Sequence, residues 1–246
     1  MKVEIWSDVV CPWCYVGKRR FEAALEQFEQ RDQVEVEWKS FELDPGARSA
    51  AADGLAPEIA TDGLAPRNAA NSAAEAGDYA DRLAAKYGTS RAGAQQMLDT
   101  MTAAAAAEGL DFHFEKAIKA NTFEAHQVIH LAGERGVQDA VKERLLRAYF
   151  TEGHAVGDRS ALVSLAAEAG LDADEVQQAL ADQRYAGAVR EDQAEASRLG
   201  ISAVPFFVVD GKYGIAGAQP AEEILQVLER GLDDSGQQRR ERTPVG

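Results

Sequence analysis

Cysteine is scarce in this chain of 246 residues: there are two, Cys11 and Cys14, and no second Cys-x-x-Cys. That scarcity excludes a scaffold stapled by several disulfides and leaves a four-cysteine zinc site without half of its ligands. Positive charge is also short, with 26 Lys and Arg against 41 Asp and Glu and a formal charge of −15. Nucleic acid is therefore not an expected partner, because phosphate binding needs a basic surface. No stretch approaches the ~20 apolar residues of a membrane span, and Met1-Lys2-Val3-Glu4 places charge where a signal peptide would carry its apolar region. The expectation is a cytoplasmic protein with no membrane partner, and no oligomeric state can be read from the chain. Thiols are mostly kept reduced in that compartment, so a disulfide between Cys11 and Cys14 would be transient and catalytic. Hydrophobic residues, at 46%, are ample for a core.

What the chain does have is concentrated near its start, in Ile5-Trp6-Ser7-Asp8-Val9-Val10-Cys11-Pro12-Trp13-Cys14. The apolar residues before the motif read as a buried strand, and Phe21, Leu25 and Phe28 after it fall at helical spacing. Cys11 thus stands where a strand gives way to a helix. The first turn of a helix has unpaired backbone N–H groups and the positive end of the macrodipole, which favours an anion such as a thiolate by about 0.3–1 kcal/mol. Pro12 suits that opening because it lacks an N–H that would be unpaired anyway. The two-residue spacer lets Cys14 close on Cys11, so the pair can attack, form a mixed disulfide and resolve it, with Cys11 attacking and Cys14 resolving.

The rest of the chain frames this motif. Val34 to Leu43 alternates apolar and polar residues as a strand, with a phase change near Ser40, and the intervening helix is expected to end near Arg31 or Asp32. Strand, helix, strand predicts a parallel pair. Residues 47–78 read as an irregular Ala-rich loop containing the duplication Asp53-Gly54-Leu55-Ala56-Pro57 and Asp62-Gly63-Leu64-Ala65-Pro66. A block of helices follows, with caps expected at Ser90, Asn121 (Glu124 in capping-box position), Asp158 and Asp172. The α/β pattern resumes at Val204-Pro205-Phe206-Phe207-Val208-Val209, an Asp210-Gly211 turn and the strand Tyr213–Gly217, and Pro220 opens a last helix. Beyond Asp233 the polar tail is expected to be disordered.

Pro205 at the head of a buried strand calls for a reason, since proline removes a ladder donor. A cis Val204-Pro205 bond would turn the preceding backbone outward and offer its peptide groups to a docked chain. His126 and His130 have the i, i+4 spacing of a zinc protease helix, but Gln127 stands where the general base would be, and no metal is expected.

Together these residues resemble the DsbA-like thioredoxin superfamily. Within it, the run Ser7 to Gly17, Phe41-Glu42-Leu43-Asp44-Pro45, Asn121-Thr122-Phe123 with His126, and Gly214-Ile215-Ala216-Gly217-Ala218-Gln219-Pro220 are similar to the FrnE-like thiol oxidoreductases, over residues 1 to about 232. The resemblance implies an α/β fold, a thioredoxin-like domain (1–46 and 190–232) interrupted by a large all-helical insertion (47–189). It makes Cys11 the exposed nucleophile, Cys14 its buried partner, and Pro12 and Trp13 the pair that tunes redox poise. Pro205 becomes the cis-proline facing the disulfide and Val204 the contact for substrate backbone, with Asn121, Phe123 and His126 along the substrate cleft. Some FrnE-like proteins carry a second Cys-x-x-Cys, and this chain has none, which excludes an electron relay through a second pair. The implied activity is thiol–disulfide exchange on a protein or small molecule, without a bound cofactor and with glutathione as a candidate co-substrate. Two alternatives stand beside it: a glutathione-dependent isomerase or transferase of the 2-hydroxychromene-2-carboxylate isomerase or kappa type, and a chaperone-like peptide-binding module.

Overall fold

The computed structural model describes residues 1–47 and 78–242, the last eight as backbone only; the Ala-rich loop and its duplication lie outside the described residues. The chain opens with β1 (Lys2–Ser7), which becomes the sheet's interior strand because Val3, Ile5, Trp6 and Ser7 are all buried. It leads through the motif into α1 (Pro12–Gln27) and, after a 3-10 turn at Arg31–Gln33, into β2 (Glu35–Ser40). β2 lies parallel to β1, with Ile5 beside Trp38, as the strand–helix–strand pattern predicts. The phase change near Ser40 is the end of the strand rather than a bulge.

Far along the chain β3 (Phe206–Val209) pairs antiparallel on the other side of β1, with Phe207 beside Ile5, and β4 (Tyr213–Ala216) closes the order β2-β1-β3-β4. Asp210 and Gly211 have φ of +50° and +66°. They are the two central residues of a turn closed by the Lys212 N–H on the Val209 carbonyl at 3.0 Å, and two positive φ values there match the right-handed twist of the strands, which is why the Asp-Gly pair signals the turn.

Between β2 and β3 run seven helices among the described residues: α2 (Tyr79–Tyr87), α3 (Arg91–Ala107), α4 (Phe123–Glu134), α5 (Gln138–Arg147), α6 (Arg159–Glu168), α7 (Ala173–Ala181) and α8 (Ala186–Arg198). Ser90, Asp158 and Asp172 cap α3, α6 and α7 by accepting the backbone N–H three residues on. The cap expected at Asn121 moves by one. Thr122 is the N-cap of α4, while the Asn121 side chain accepts the Phe123 N–H and donates to the Ala47 carbonyl. Glu124 pairs outward with Arg159 and closes no capping box. α2 falls where no helix is expected, although Asp78 caps it and Gly88, at φ +62°, ends it. Tyr79, Leu83 and Tyr87 recur every fourth residue along it, with Ala80 buried and Tyr79, Leu83 and Ala84 packed against the core.

The larger of two apolar clusters among the described residues runs from Val3 and Phe207 through Phe21 into the helical block at Leu145, Phe150 and Leu165. Polar contacts secure the junction. The Gln138 side chain accepts the Trp38 N–H at 2.9 Å and donates to its carbonyl at 3.1 Å, completing the open edge of β2 as a neighbouring strand would. Asp192 of α8 accepts the Ser40 N–H at 2.8 Å and pairs with Lys39 and His130 at 3.0 Å each. The boundary expected at residue 190 therefore falls inside α8, a helix tied to the sheet.

The chain ends in α9 (Ala221–Arg242), with Ile224 and Leu228 buried and its axis packed along α1. The disordered tail expected from residue 233 is helical to Arg242 instead. Adding turns to a nucleated helix costs little when the residues are Gln, Arg and Glu, and Asp234 is held by the Tyr213 hydroxyl. No helix of the described residues is long and apolar enough to cross a membrane.

Candidate active site

Cys11 is the N-cap of α1, with φ −95° and ψ 111°, and Pro12 follows in the first helical turn. Its N–H donates to the Asp8 carbonyl at 3.3 Å, and the Cys14 N–H donates to the Cys11 carbonyl at 3.1 Å. These bonds coil the motif so that both side chains face inward, and both cysteines are free thiols. The exposed nucleophile implied by the resemblance is not found in this state. Cys11 is 4% exposed and Cys14 1%, because Trp6, Ile201, Val204 and Val208 close around them.

The cover over Cys11 is the loop before β3. The Cys11 thiol donates to the Val204 carbonyl at 3.5 Å, and the Val204-Pro205 bond is cis. That loop is held from two sides. Gly217 N–H donates to the Pro205 carbonyl at 2.8 Å, and α1 presses Gly17 so closely on the proline ring that a Cβ at Gly17 would lie 2.8 Å from Pro205 Cγ. Glycine is required there by approach, not by backbone angle.

Behind the thiols lies a polar floor. Asp8 is fully buried; one carboxylate oxygen accepts the Leu43 N–H at 2.8 Å and the other stands 3.4 Å from His126 Nε2. Burial pushes the Asp8 carboxyl up, but the His126 ring, the Leu43 N–H and Lys142 more than offset this and leave it below its ordinary value. The two thiols titrate as a pair. Burial pushes Cys11 well above the usual thiol range, and the adjoining Cys14 sulfur adds to the rise. Burial acts on Cys14 too, yet the hydrogen bond from Cys11 and the nearby Lys142 charge bring it below its usual value. Burial and the contact between the two sulfurs therefore leave the thiols shifted in opposite directions, Cys11 up and Cys14 down.

The structure thus brings Cys11, Pro12, Trp13, Cys14, Val204 and Pro205 together. His126 corrects its expected place along a cleft: it is 1% exposed and points under the motif at Asp8, because α4 is buried on that side. Asn121 ties residues 45–47 to the start of α4, and Phe123 is half-buried beneath the Arg190 guanidinium, 4.2 Å from its ring centroid. The two histidines face different acids, His126 towards Asp8 and His130 towards Asp192. Sequence reasoning gave no role to Asp8 or Lys142. Lys142 had a signal, since it sits three and four residues before Leu145 and Leu146, within the buried arc of α5.

Comparison with known proteins agrees with this arrangement. A probable DsbA oxidoreductase from Streptomyces coelicolor, seen in a crystal structure, is 44% identical, with a TM-score of 0.79 over 100% of this chain and 93% of that one. The Bacillus subtilis protein YwbO is 28% identical over 94% of this chain and 96% of its own length. The cytosolic disulfide reductase DsbM from Pseudomonas aeruginosa, at 16% identity, shares the fold with a TM-score of 0.58 over 95% of this chain and 99% of that one. The DSBA-like thioredoxin domain matches residues 2–229, nearly the whole chain, and to that family this protein belongs.

Proposed function

We propose that this protein is a thiol–disulfide oxidoreductase in which Cys11 and Cys14 cycle between dithiol and disulfide. The observation that carries the reading is the meeting of the Cys11 sulfur, at the N-terminus of α1, with the Val204 carbonyl beside cis Pro205. A substrate strand laid along Val204 takes over the contact that the Cys11 thiol now makes, which frees the sulfur and places the incoming disulfide next to it. Cys11 then gives up its proton. The Cys11 thiolate attacks one substrate sulfur; the S–S bond of the substrate breaks, and the leaving thiolate takes up a proton. Cys14, deprotonated, next attacks the Cys11 sulfur, releasing the second substrate thiol and leaving the Cys11–Cys14 disulfide. Run in reverse, the same steps oxidise a dithiol.

Pro12 and Trp13 set the redox poise of the pair, and Phe123 and Asn121 lie where the FrnE-like reading places substrate contacts. A cytoplasmic setting with a protein or small-molecule thiol partner, glutathione among them, fits both the acidic sequence and the likeness to a fold that also serves a cytosolic disulfide reductase. The test is reduction of insulin disulfides by the intact protein with glutathione as electron source. Cys11→Ser is expected to abolish turnover, and Cys14→Ser to accumulate a mixed disulfide on Cys11. Turnover that survives Cys11→Ser refutes the reading and moves the protein to glutathione-dependent isomerisation or to peptide binding by the same fold.

A further inference from the structure

The run Gly17-Lys18-Arg19-Arg20 lies in α1 just after the cysteine motif, and its three cations part company. Lys18 and Arg19 turn to Glu22 on their own helix and to Glu143 of α5. Arg20 turns the other way, three residues on from Gly17 and on the same face of the helix. Its Nη1 donates to the Ala218 carbonyl, in the loop after β4, at 2.6 Å. Its Nε donates at 2.6 Å to Glu108, the residue that closes α3. The two side chains are 22% and 23% exposed, so this ion pair is largely withdrawn from water.

Ala218 stands at one end of a short series of contacts that leads to the thiol. Its neighbour Gly217 donates its N–H to the Pro205 carbonyl at 2.8 Å, one rung beyond the last pair of the β3–β4 ladder, Phe206 with Ala216. One residue back from Pro205, the Val204 carbonyl accepts from the Cys11 thiol at 3.5 Å. Gly17 presses on the same two residues, since a Cβ there would lie 2.8 Å from Pro205 Cγ and 3.5 Å from Ala218 Cβ. Gly17 and Arg20 thus act on one loop in opposite senses. The bare backbone of Gly17 lets the loop come close, and the Arg20 guanidinium keeps it from drawing away.

We infer that Arg20 is a positioning residue for thiol–disulfide exchange: anchored by Glu108 of the helical block, it holds the Ala218 carbonyl and thereby sets the Val204 edge at its distance from Cys11. This rests on the function proposed above, and it gives the helical block a part in placing the edge on which the substrate lies. Arginine suits the role because its planar guanidinium offers several donors in a fixed fork, so one side chain holds the carboxylate and the carbonyl at a set separation. A lysine ammonium has a single nitrogen to divide between them.

Val204 both covers Cys11 and offers the backbone edge to a docked chain. A loop that draws back therefore has two opposite effects. Cys11 becomes easier to reach for a small reagent that needs no docking, and a chain substrate is held less well.

The experiment compares reduced, intact wild type with Arg20→Met, Arg20→Lys and Glu108→Ala. It measures iodoacetamide alkylation at Cys11, kcat and KM for insulin reduction, and hydrogen exchange of the Gly217 amide, with the Ile5 amide of the interior strand as reference. In Arg20→Met alkylation is expected to quicken about threefold or more, kcat/KM to fall about tenfold or more, and Gly217 to exchange about tenfold faster with Ile5 unchanged. Glu108→Ala should move all three in the same directions by less, and Arg20→Lys should fall between wild type and Arg20→Met. Wild-type alkylation and turnover in Arg20→Met overturn the inference, as does a fall in both rates or an equal rise in exchange at Gly217 and Ile5, which marks a general loosening of the fold. Should Arg20→Met fail to fold, Glu108→Ala decides by the same readouts, and its matching wild type in all three overturns the inference. A wild-type protein that reduces no insulin overturns the parent reading and this inference together, whereas normal wild-type turnover beside an unaltered Arg20→Met overturns this inference alone.

Discussion

Replacing Gly17 by Ala tests the contact between α1 and the cis-proline loop with a single methyl group. The added Cβ would lie 2.8 Å from Pro205 Cγ and 3.5 Å from Pro205 Cβ and Ala218 Cβ. Carbon atoms pack best at about 3.5–4.0 Å, so something must give by about 1 Å. The proline ring cannot swing aside as a flexible side chain would, and the loop behind it has to move. Overpacking of this kind costs about 1–3 kcal/mol, against a gain of up to about 1 kcal/mol for alanine in a helix. The net expectation is a loss of about 0–2 kcal/mol, a fall in Tm of about 2–4 °C for each kcal/mol in a chain of this size. The effect on activity should be larger. Val204 moves with Pro205, and the 3.5 Å contact between Cys11 Sγ and the Val204 carbonyl opens. A misplacement of ~1 Å beside a reacting atom can cost up to about a hundredfold in rate, and kcat/KM for insulin reduction should fall tenfold or more while Tm changes by a few degrees. Full activity together with a raised Tm would show that the loop yields freely and that its distance from Cys11 does not govern the reaction.

Truncating Phe150 to Ala should cost about 3–5 kcal/mol, since the ring is fully buried and stacked 4.7 Å from Phe112; chemical denaturation measures it, and a loss below about 1 kcal/mol would contradict the packing. Asp192→Ala should cost a similar ~3–5 kcal/mol because it strands the Ser40 N–H and leaves Lys39 short of its buried partner. Asp8 and Asp192 are both held below the ordinary carboxylate value, Asp8 against the pull of burial by His126 and Asp192 likewise by His130 and the Ser40 N–H. A depressed folded-state pKa adds stability that is complete above the unfolded value of ~3.9 and is lost as pH falls through the folded value. Unfolding on acidification should therefore be shallower below about pH 4 in Asp192→Asn than in wild type, and equal slopes in the two proteins would refute the assignment.

How far the sequence spoke depended on whether the signal was local. The β1–motif–α1 junction was legible because strand pattern, Pro12 and the cysteine spacing lie within a few residues, and the Asp210-Gly211 turn was legible for the same reason. The edge completion by Gln138, the Asp192 junction and the burial of His126 were not, because each joins residues some 100 to 150 positions apart. α2 is announced by its caps and by Tyr79, Leu83 and Tyr87 at helical spacing, but it is only nine residues long and follows directly on an Ala-rich stretch that blurs its start. Lys142 shows the opposite failure. A lysine in the apolar arc of α5 broke the pattern, and the pattern was read for its apolar members Val141 and Leu145 alone.

That lysine also bears on why the helical block and the sheet form one working unit. The parts nearest the cysteines, Asp8 and the Val204-Pro205 loop, come from the two ends of the chain. The groups that offset the burial of Asp8, the His126 ring and Lys142, come from α4 and α5 in its middle. α5 is simultaneously the element whose Gln138 and Asp139 complete the edge of β2 and meet the Trp38 indole N–H at 3.1 Å. Any substitution that loosens α5 from β2 should thus disturb the thiols without touching them. Gln138→Ala leaves the Trp38 N–H and carbonyl unmatched, and an unsatisfied buried group costs about 1–3 kcal/mol. The expected result is a loss of stability accompanied by a change in the thiol titration, because Lys142 lies one turn further along the same helix. A stability loss with an unaltered titration would mean that the helix holds the sheet and the charge through separate contacts.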